Sequence, residues 1–233
     1  MIVGFDVISD LNLQPNDSFN WQDKSTSLYC IVAGNISSDI ETVRQVLLHL
    51  STCYQAVLYM PGHLEYTDAQ KIRSRHTELG KICRELNGVV FMHNHVVVID
   101  NIALLGVVGW YDREWGENEL IGEITGIRQR QNDCEYLKTT ISRLNAHDEL
   151  LHLVVITSCV PDQQLYFGQH PIRSYNDIDL AYALQHINAG KIQYWVYGNN
   201  DKTAEIKIGT VTYVNNAYCG RKPYWPKRIE VGV

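Results

Sequence analysis

The sequence predicts a layered α/β sandwich formed by residues 1–233 as one domain. Three observations lead there: strand and helix patterns alternate at both ends of the chain, a β-rich stretch lies in the middle, and no linker, repeat or low-complexity segment interrupts the run. A chain of 233 residues is long enough to bury a sizeable core.

Taken in order, residues 2–8 read as a strand, and residues 28–33 as a second one after a polar loop over 14–27. Residues 39–50 carry Ile40, Val43, Val46, Leu47 and Leu50 at helical spacing, with Ser37, Ser38 or Asp39 available as the cap. Residues 56–60 form a third strand closed by Pro61-Gly62. An amphipathic helix over 68–86 follows, stopped by Asn87-Gly88. Three short β-branched runs, 89–92, 96–99 and 103–108, are joined by tight polar turns and suggest a meander. Residues 110–118 make an aromatic, acidic loop. Residues 120–146 are mainly helical, 151–156 are a buried strand, and 177–188 are a helix stopped by Gly190. Residues 191–196, 203–208, 211–215 and 228–231 complete the set as strands.

Composition narrows the function. Apolar residues make up 45% and charged residues 20%, as in ordinary globular proteins. Lys and Arg number 20 against 26 Asp and Glu, a net charge of −6, which gives no global attraction to nucleic acid or to an anionic membrane. The one basic run, Arg221-Lys222-Pro223-Tyr224-Trp225-Pro226-Lys227-Arg228, reads as a solvated tail loop. No stretch approaches the roughly 20 apolar residues that span a bilayer, and the N-terminus, with Asp6, does not read as a signal peptide. The six cysteines (Cys30, Cys53, Cys83, Cys134, Cys159, Cys219) are scattered without a C-x-x-C pair. They read as reduced, buried thiols in a cytoplasmic protein.

Five polar stretches fall at the carboxyl ends of predicted strands, where loops converge in α/β folds. They are Ser9-Asp10-Leu11-Asn12-Leu13, Ala33-Gly34-Asn35-Ile36-Ser37, Pro61-Gly62-His63-Leu64-Glu65, Thr157-Ser158-Cys159-Val160-Pro161 and Tyr197-Gly198-Asn199-Asn200-Asp201. In order and rough spacing over nearly the whole chain, they resemble the D-x-H, G-D, G-N-H-[ED], late H and G-H-x-H motifs of the calcineurin-like metallophosphoesterases. The resemblance implies a four-layer αββα sandwich. It also implies a site where two metal ions polarise a phosphoryl group and generate a hydroxide nucleophile.

Position by position, this sequence departs from that pattern. Asp10 is intact, but the histidine two residues on is Asn12 and the bridging aspartate is Asn35. The third motif's asparagine is His63, and its catalytic histidine is Leu64. The late histidine is Ser158, and the last two histidines are Asn199 and Asp201. Asn35 offers one neutral carbonyl where a carboxylate would offset two dications. Leu64 can neither give nor take a proton, so no catalytic residue is intact.

The first expectation is therefore a non-catalytic pseudoenzyme with no cofactor, acting by binding a protein partner or a phosphate-bearing ligand held by loop amides. The alternative is a phosphomonoester or phosphodiester hydrolase with a rebuilt mononuclear site. It would use Asp10, His63 and Asp201 around one divalent ion (Mn²⁺, Mg²⁺ or Zn²⁺) about 2.0–2.3 Å from each. The blander reading of all these Asx side chains is that they cap and hydrogen-bond turns.

Other candidates weigh less. His93 and His95 flank Asn94 and read as a surface turn between two strands, away from the metals of the resembled family. Cys159 with His152 or His170 would make a thiol nucleophile and base, but a structural thiol is the simpler reading. Trp110, Tyr111, Trp115, Tyr166 and Phe167 suit a cleft or an interface.

Overall fold

The computed structural model describes residues 2–67, 72–109, 119–166, 190–218, 220 and 223–232. The expected helix over 177–188, the loop over 110–118, the start of the helix at 68–71, Phe167, His170, Cys219, Arg221 and Lys222 lie outside the described residues.

Eleven strands and three helices are described: β1 (Val3–Ile8), β2 (Tyr29–Ala33), α1 (Ile40–Cys53), β3 (Ala56–Met60), α2 (Ile72–Glu85), β4 (Val89–Phe91), β5 (His95–Ile99), β6 (Ile102–Val107), α3 (Glu119–Asn145), β7 (His152–Thr157), β8 (Ile192–Tyr197), β9 (Ala204–Ile208), β10 (Val211–Asn215) and β11 (Lys227–Val231). They build two mixed sheets. The first runs β11-β1-β2-β3-β4 and the second β5-β6-β7-β8-β10-β9. In the first, β1 to β4 are parallel and β11 is antiparallel to β1. In the second, β6, β7, β8 and β10 are parallel, and β5 and β9 are antiparallel edges.

Period-2 alternation shows the layering. Leu104, Val154, Ile156, Val196 and Val214 of the second sheet share one buried cluster with Phe5, Val7, Ile31 and Leu58 of the first. Their neighbours Ala103, Leu105, Val107, Leu153, Val155, Trp195 and Tyr213 turn the other way, onto Leu137, Ile141 and Leu144 of α3. The outer helices of the first sheet bury Val43, Val46, Leu47 and Leu50 from α1 and Leu79, Ile82 and Cys83 from α2. This is the αββα arrangement expected. Asp39 caps α1, its Oδ2 accepting the Thr42 N–H at 2.8 Å. Trp21 anchors the long loop after β1, donating its Nε1–H to Tyr54 Oη at 2.7 Å, and Tyr54 donates in turn to Asp6 at 2.9 Å.

Three expectations need correction. The middle strands are not one meander: β4 pairs with β3 in the first sheet, while β5 and β6 pair in the second. The connection is short, but Met92 N–H still bonds Tyr59 O at 2.8 Å on one sheet while Asn94 N–H bonds Gly106 O at 2.9 Å on the other. The chain thus changes sheets at residues 92–94, which exposes Asn94 but turns His93 inward. The C-terminal basic run is not all solvated tail loop either: Tyr224 is buried, and Lys227 joins Arg228 in β11, the two pairing with Glu205 and Glu230 respectively.

Cys30, Cys53, Cys83, Cys134 and Cys159 are free thiols; Cys30, Cys83 and Cys159 are buried, whereas Cys53 at the end of α1 and Cys134 on α3 are only half-buried, against the expectation that all are buried. Among the described residues no helix is long and apolar enough to cross a membrane.

Candidate functional site

The carboxyl ends of the parallel strands from both sheets meet at one end of the sandwich, held by close backbone approaches. A Cβ on Gly198, after β8, would stand 1.9 Å from Ala33 O at the end of β2. A Cβ on Gly62, after β3, would stand 2.4 Å from Asn35 N. Only glycine allows loops to pack this tightly, so these motif glycines have a structural cause.

The polar residues also have a backbone role. Asp10, Asn12, Asn35 and Asn199 all lie in the left-handed region, with φ of 52°, 48°, 58° and 57°. Aspartate and asparagine tolerate this conformation better than other non-glycine residues.

Asp10 is the hub. It is buried at the exit of β1, and both carboxylate oxygens are in use. Oδ1 accepts from Asn35 Nδ2 at 2.8 Å and from Asn199 N at 2.7 Å. Oδ2 accepts from Asn215 Nδ2 at 3.2 Å and from Asn200 N at 3.4 Å. Four donors on a group with about four acceptor sites leave little for a cation. Burial pushes the Asp10 carboxyl up to about 6, outweighing the hydrogen bonds from Asn35, Asn199, Ser9 and Asn215 that lower it.

The Asn35 amide is oriented by its neighbours. Its Oδ1 accepts from Leu64 N at 3.1 Å, and a backbone N–H can only donate. Its Nδ2 therefore faces Asp10. The position that matches the bridging aspartate thus presents a donor to the other acidic position. Asn215 is fixed in the same way: its Oδ1 accepts from Ala217 N at 3.3 Å, and its Nδ2 reaches Asp10, Ser9 Oγ and Tyr197 O.

Glu65 forms a second buried centre. Its Oε2 accepts from Gly62 N at 2.8 Å and Asn35 N at 3.2 Å, and its Oε1 from Ile36 N at 2.6 Å. One carboxyl thus ties the loop after β3 to the loop after β2. Burial raises it to about 7 against these same amides.

Three of the remaining expected positions touch this network through backbone amides: Leu64 N on Asn35 Oδ1, Asn12 N on Asn35 O at 2.9 Å and Asp201 N on Asn200 Oδ1 at 3.1 Å. Ser158 is buried and donates its hydroxyl to Val108 O at 2.9 Å. His63 and Leu64 are half-buried at the start of the short 3-10 turn Leu64–Tyr66. Asn12 and Asp201 are exposed. Among the described residues no group of three or more His, Cys, Asp or Glu side chains is placed to share an ion, so Asp10, His63 and Asp201 are not gathered as a ligand set. Cys159 is buried and its thiol is raised by burial, while His152 sits at the far end of β7. They do not make a nucleophile and base.

Three participants went unread in the sequence. Glu65 stands inside one of the five stretches, and its match to the last position of G-N-H-[ED] was a usable signal. Asn200 and Asn215 carry a weaker one: each belongs to an Asn-Asn pair at a strand exit.

No protein-family model matches the chain, and no curated protein does. Solved structures do. The phosphopantetheinyl hydrolase PptH of Mycobacterium tuberculosis is 18% identical with a TM-score of 0.65, over 97% of this chain and 95% of that one. A putative 5′-nucleotidase from Staphylococcus aureus is 10% identical with a TM-score of 0.57, over all of this chain and 51% of that one. GAP50, the anchor in the inner membrane complex of Plasmodium, is 9% identical with a TM-score of 0.58, over 93% of this chain and 71% of that one. At such identities the likeness shows the fold alone, which is metallophosphoesterase-like.

Proposed function

We propose that this chain is a non-catalytic binding protein on a metallophosphoesterase-like fold, its dinuclear metal centre replaced by a hydrogen-bonded core. The observation that carries this reading is the Asn35 amide. It donates to Asp10 from the place where a bridging carboxylate would face two cations. With Asn199, Asn200 and Asn215 it occupies both oxygens of Asp10. Leu64 stands where the catalytic histidine would be, so the acid role has no holder.

The same hydrogen bonds favour a protein partner over a phosphate-bearing ligand. The amides of Asn35, Ile36 and Gly62 are taken by Glu65, and those of Asn199 and Asn200 by Asp10. These are the strand-end N–H groups that a phosphate would need. That the fold serves in GAP50 as an anchor agrees with a binding role. The free thiols agree with a reducing, cytoplasmic setting.

The rebuilt-hydrolase reading has one support, the similarity of shape to PptH over almost the full length of both chains. One experiment separates the two. Metal content and Mn²⁺ binding are measured on the purified protein by calorimetry, with inorganic phosphate as a second titrant and a generic phosphodiester assay alongside. The expected result is no stoichiometric metal, no binding of either titrant near micromolar, and no turnover. One metal per chain, with turnover lost in Asp10→Ala, would overturn the proposal.

A further inference from the structure

A second set of buried titratable side chains meets at the exit of β6, outside the Asp10 network. Asp133 on α3 is fully buried, and its Oδ2 accepts from Gly109 N at 2.8 Å. His93 Nδ1 accepts from the preceding amide, Val108 N, at 3.3 Å. The carbonyl of Val108 accepts from Ser158 Oγ at 2.9 Å. Two consecutive amides are thus held by two titratable side chains, directly beside one of the five strand-end motifs.

The tautomer of His93 follows from these bonds. A ring nitrogen that accepts from a backbone N–H carries no proton, so in neutral His93 the proton is on Nε2. Nε2 faces Asp133 Oδ1 across 3.8 Å, and that oxygen has no hydrogen-bond partner. The pair is not an ion pair at neutral pH: burial, with His76 adding to it, pushes His93 down to about 3, and burial pushes Asp133 up to about 7.

Among the described residues no Lys or Arg forms an ion pair with Asp133. His76 on α2 packs edge-on against His93, with ring centres 4.9 Å apart, and its Nδ1 lies 2.9 Å from Tyr66 Oη. Tyr66, Cys134 and Cys159 all feel Asp133, and all are held neutral by burial. Glu65 acts on Tyr66 as well. Buried Arg130, one turn earlier on α3, acts on Cys134. Among the described residues, only the amides of Gly109 and Val108 favour the Asp133 carboxylate.

We infer that Asp133 and His93 form a proton-operated latch on Val108–Gly109, tight when Asp133 is ionised and slack when it is protonated, which regulates the candidate site from the Ser158 side. The inference rests on the reading of the strand ends as a binding site, not on their being inactive. Its chemistry is local. A carboxylate accepts more strongly than a carboxylic acid, so a proton on Asp133 weakens the Gly109 bond. A proton on Oδ1 also opposes the proton on His93 Nε2. Moving the ring proton to Nδ1 lets Nε2 accept from the Asp133 hydroxyl, and it sets Nδ1–H against Val108 N–H, which ends the Val108 bond. One proton therefore loosens both amides.

The test is a ¹H–¹⁵N titration of the full chain from pH 5.5 to 8.5, with aspartate labelled at ¹³Cγ. The expected result is that the Val108 and Gly109 amides shift together with one midpoint near 7. One aspartate carboxyl should share that midpoint, and both amide shifts should vanish in Asp133→Asn. Amides that do not titrate in this range, or that titrate unchanged in Asp133→Asn, would sink the latch. If Asp133→Asn does not fold, the wild-type label still decides, because Glu65 is unlabelled: no aspartate carboxyl at the shared midpoint overturns the inference. Mn²⁺ binding and phosphodiester turnover do not enter this readout, so the latch and the binding-protein reading fail separately.

Discussion

Asn35 decides what the strand ends can hold, because its side chain is fixed at both ends. Its carbonyl is held by Leu64 N–H and its amide group by Asp10. Asn35→Asp restores the carboxylate of the resembled family, but it sets two acidic oxygens where a 2.8 Å hydrogen bond now stands. Below about 6, where Asp10 takes up a proton, the two carboxyls can share a proton and the bond survives. Above it both carry charge in a buried place. The variant is therefore expected to unfold near the wild-type temperature at pH 5, and to lose about 1–3 kcal/mol at pH 8. Thermal melts at the two pH values check this. On the proposed function the variant gains no phosphodiester turnover, since Leu64 and Ser158 remain. Stabilisation of the variant at pH 8 by added Mn²⁺ would show that the centre still accepts a metal, against the proposed function.

Elements differ in how plainly the sequence declares them. The helix α1 is legible because two local signals agree: an apolar stripe at Val43, Val46, Leu47 and Leu50, and a capping aspartate just before it. Asp39→Ala removes the acceptor for Thr42 N–H and also the charge at the helix start. It should lower stability by about 1 kcal/mol, read as a shift in urea midpoint with unchanged slope. An unchanged midpoint would mean that tertiary packing alone sets the start of α1. The strands β4 and β5 were legible as strands but not as members of different sheets. Pairing depends on the crossover: α2 carries the chain from β3 to a parallel β4, whereas residues 92–94 step across to the second sheet. Nothing local in three β-branched runs distinguishes that step from a meander turn. The five strand-end stretches were readable because glycine and Asx at strand exits answer to backbone conformation. The partners Glu65, Asn200 and Asn215 were not read, because the contacts that define them join residues far apart in the chain, such as Asn215 with Asp10.

Across the whole molecule, buried titratable groups of opposite kinds shape stability against pH. Glu65 and Asp133 are raised to about 7 and Asp10 to about 6, above the 4.5 and 3.8 of their unfolded forms. In that window the folded state binds more protons than the unfolded state. Their contribution is thus full at low pH and is lost as pH rises through 6 to 7. His93 and His76 have the opposite sign. Both are lowered by burial, His93 to about 3, so their contribution is present above the unfolded 6.5 and is lost as pH falls. The carboxyls act alone above about 6.5, and the histidines oppose them below it. The melting temperature should therefore climb from pH 8 to about 6.5, by an amount on the order of 1–2 kcal/mol in stability. Below that, three carboxyls are opposed by two histidines, so it should climb less steeply towards pH 4, and turn over only below the 3.8 of unfolded aspartate, where the carboxyls become protonated in both states and folded His93 is still neutral. Differential scanning calorimetry from pH 3.5 to 8.5 reads this curve. Glu65→Gln should flatten its alkaline arm and His93→Gln its acid arm. A melting temperature that keeps rising from pH 6.5 to 8 would mean that these carboxyls are ionised without cost in the folded chain, and the buried polar core at the strand ends would then have to be open to water.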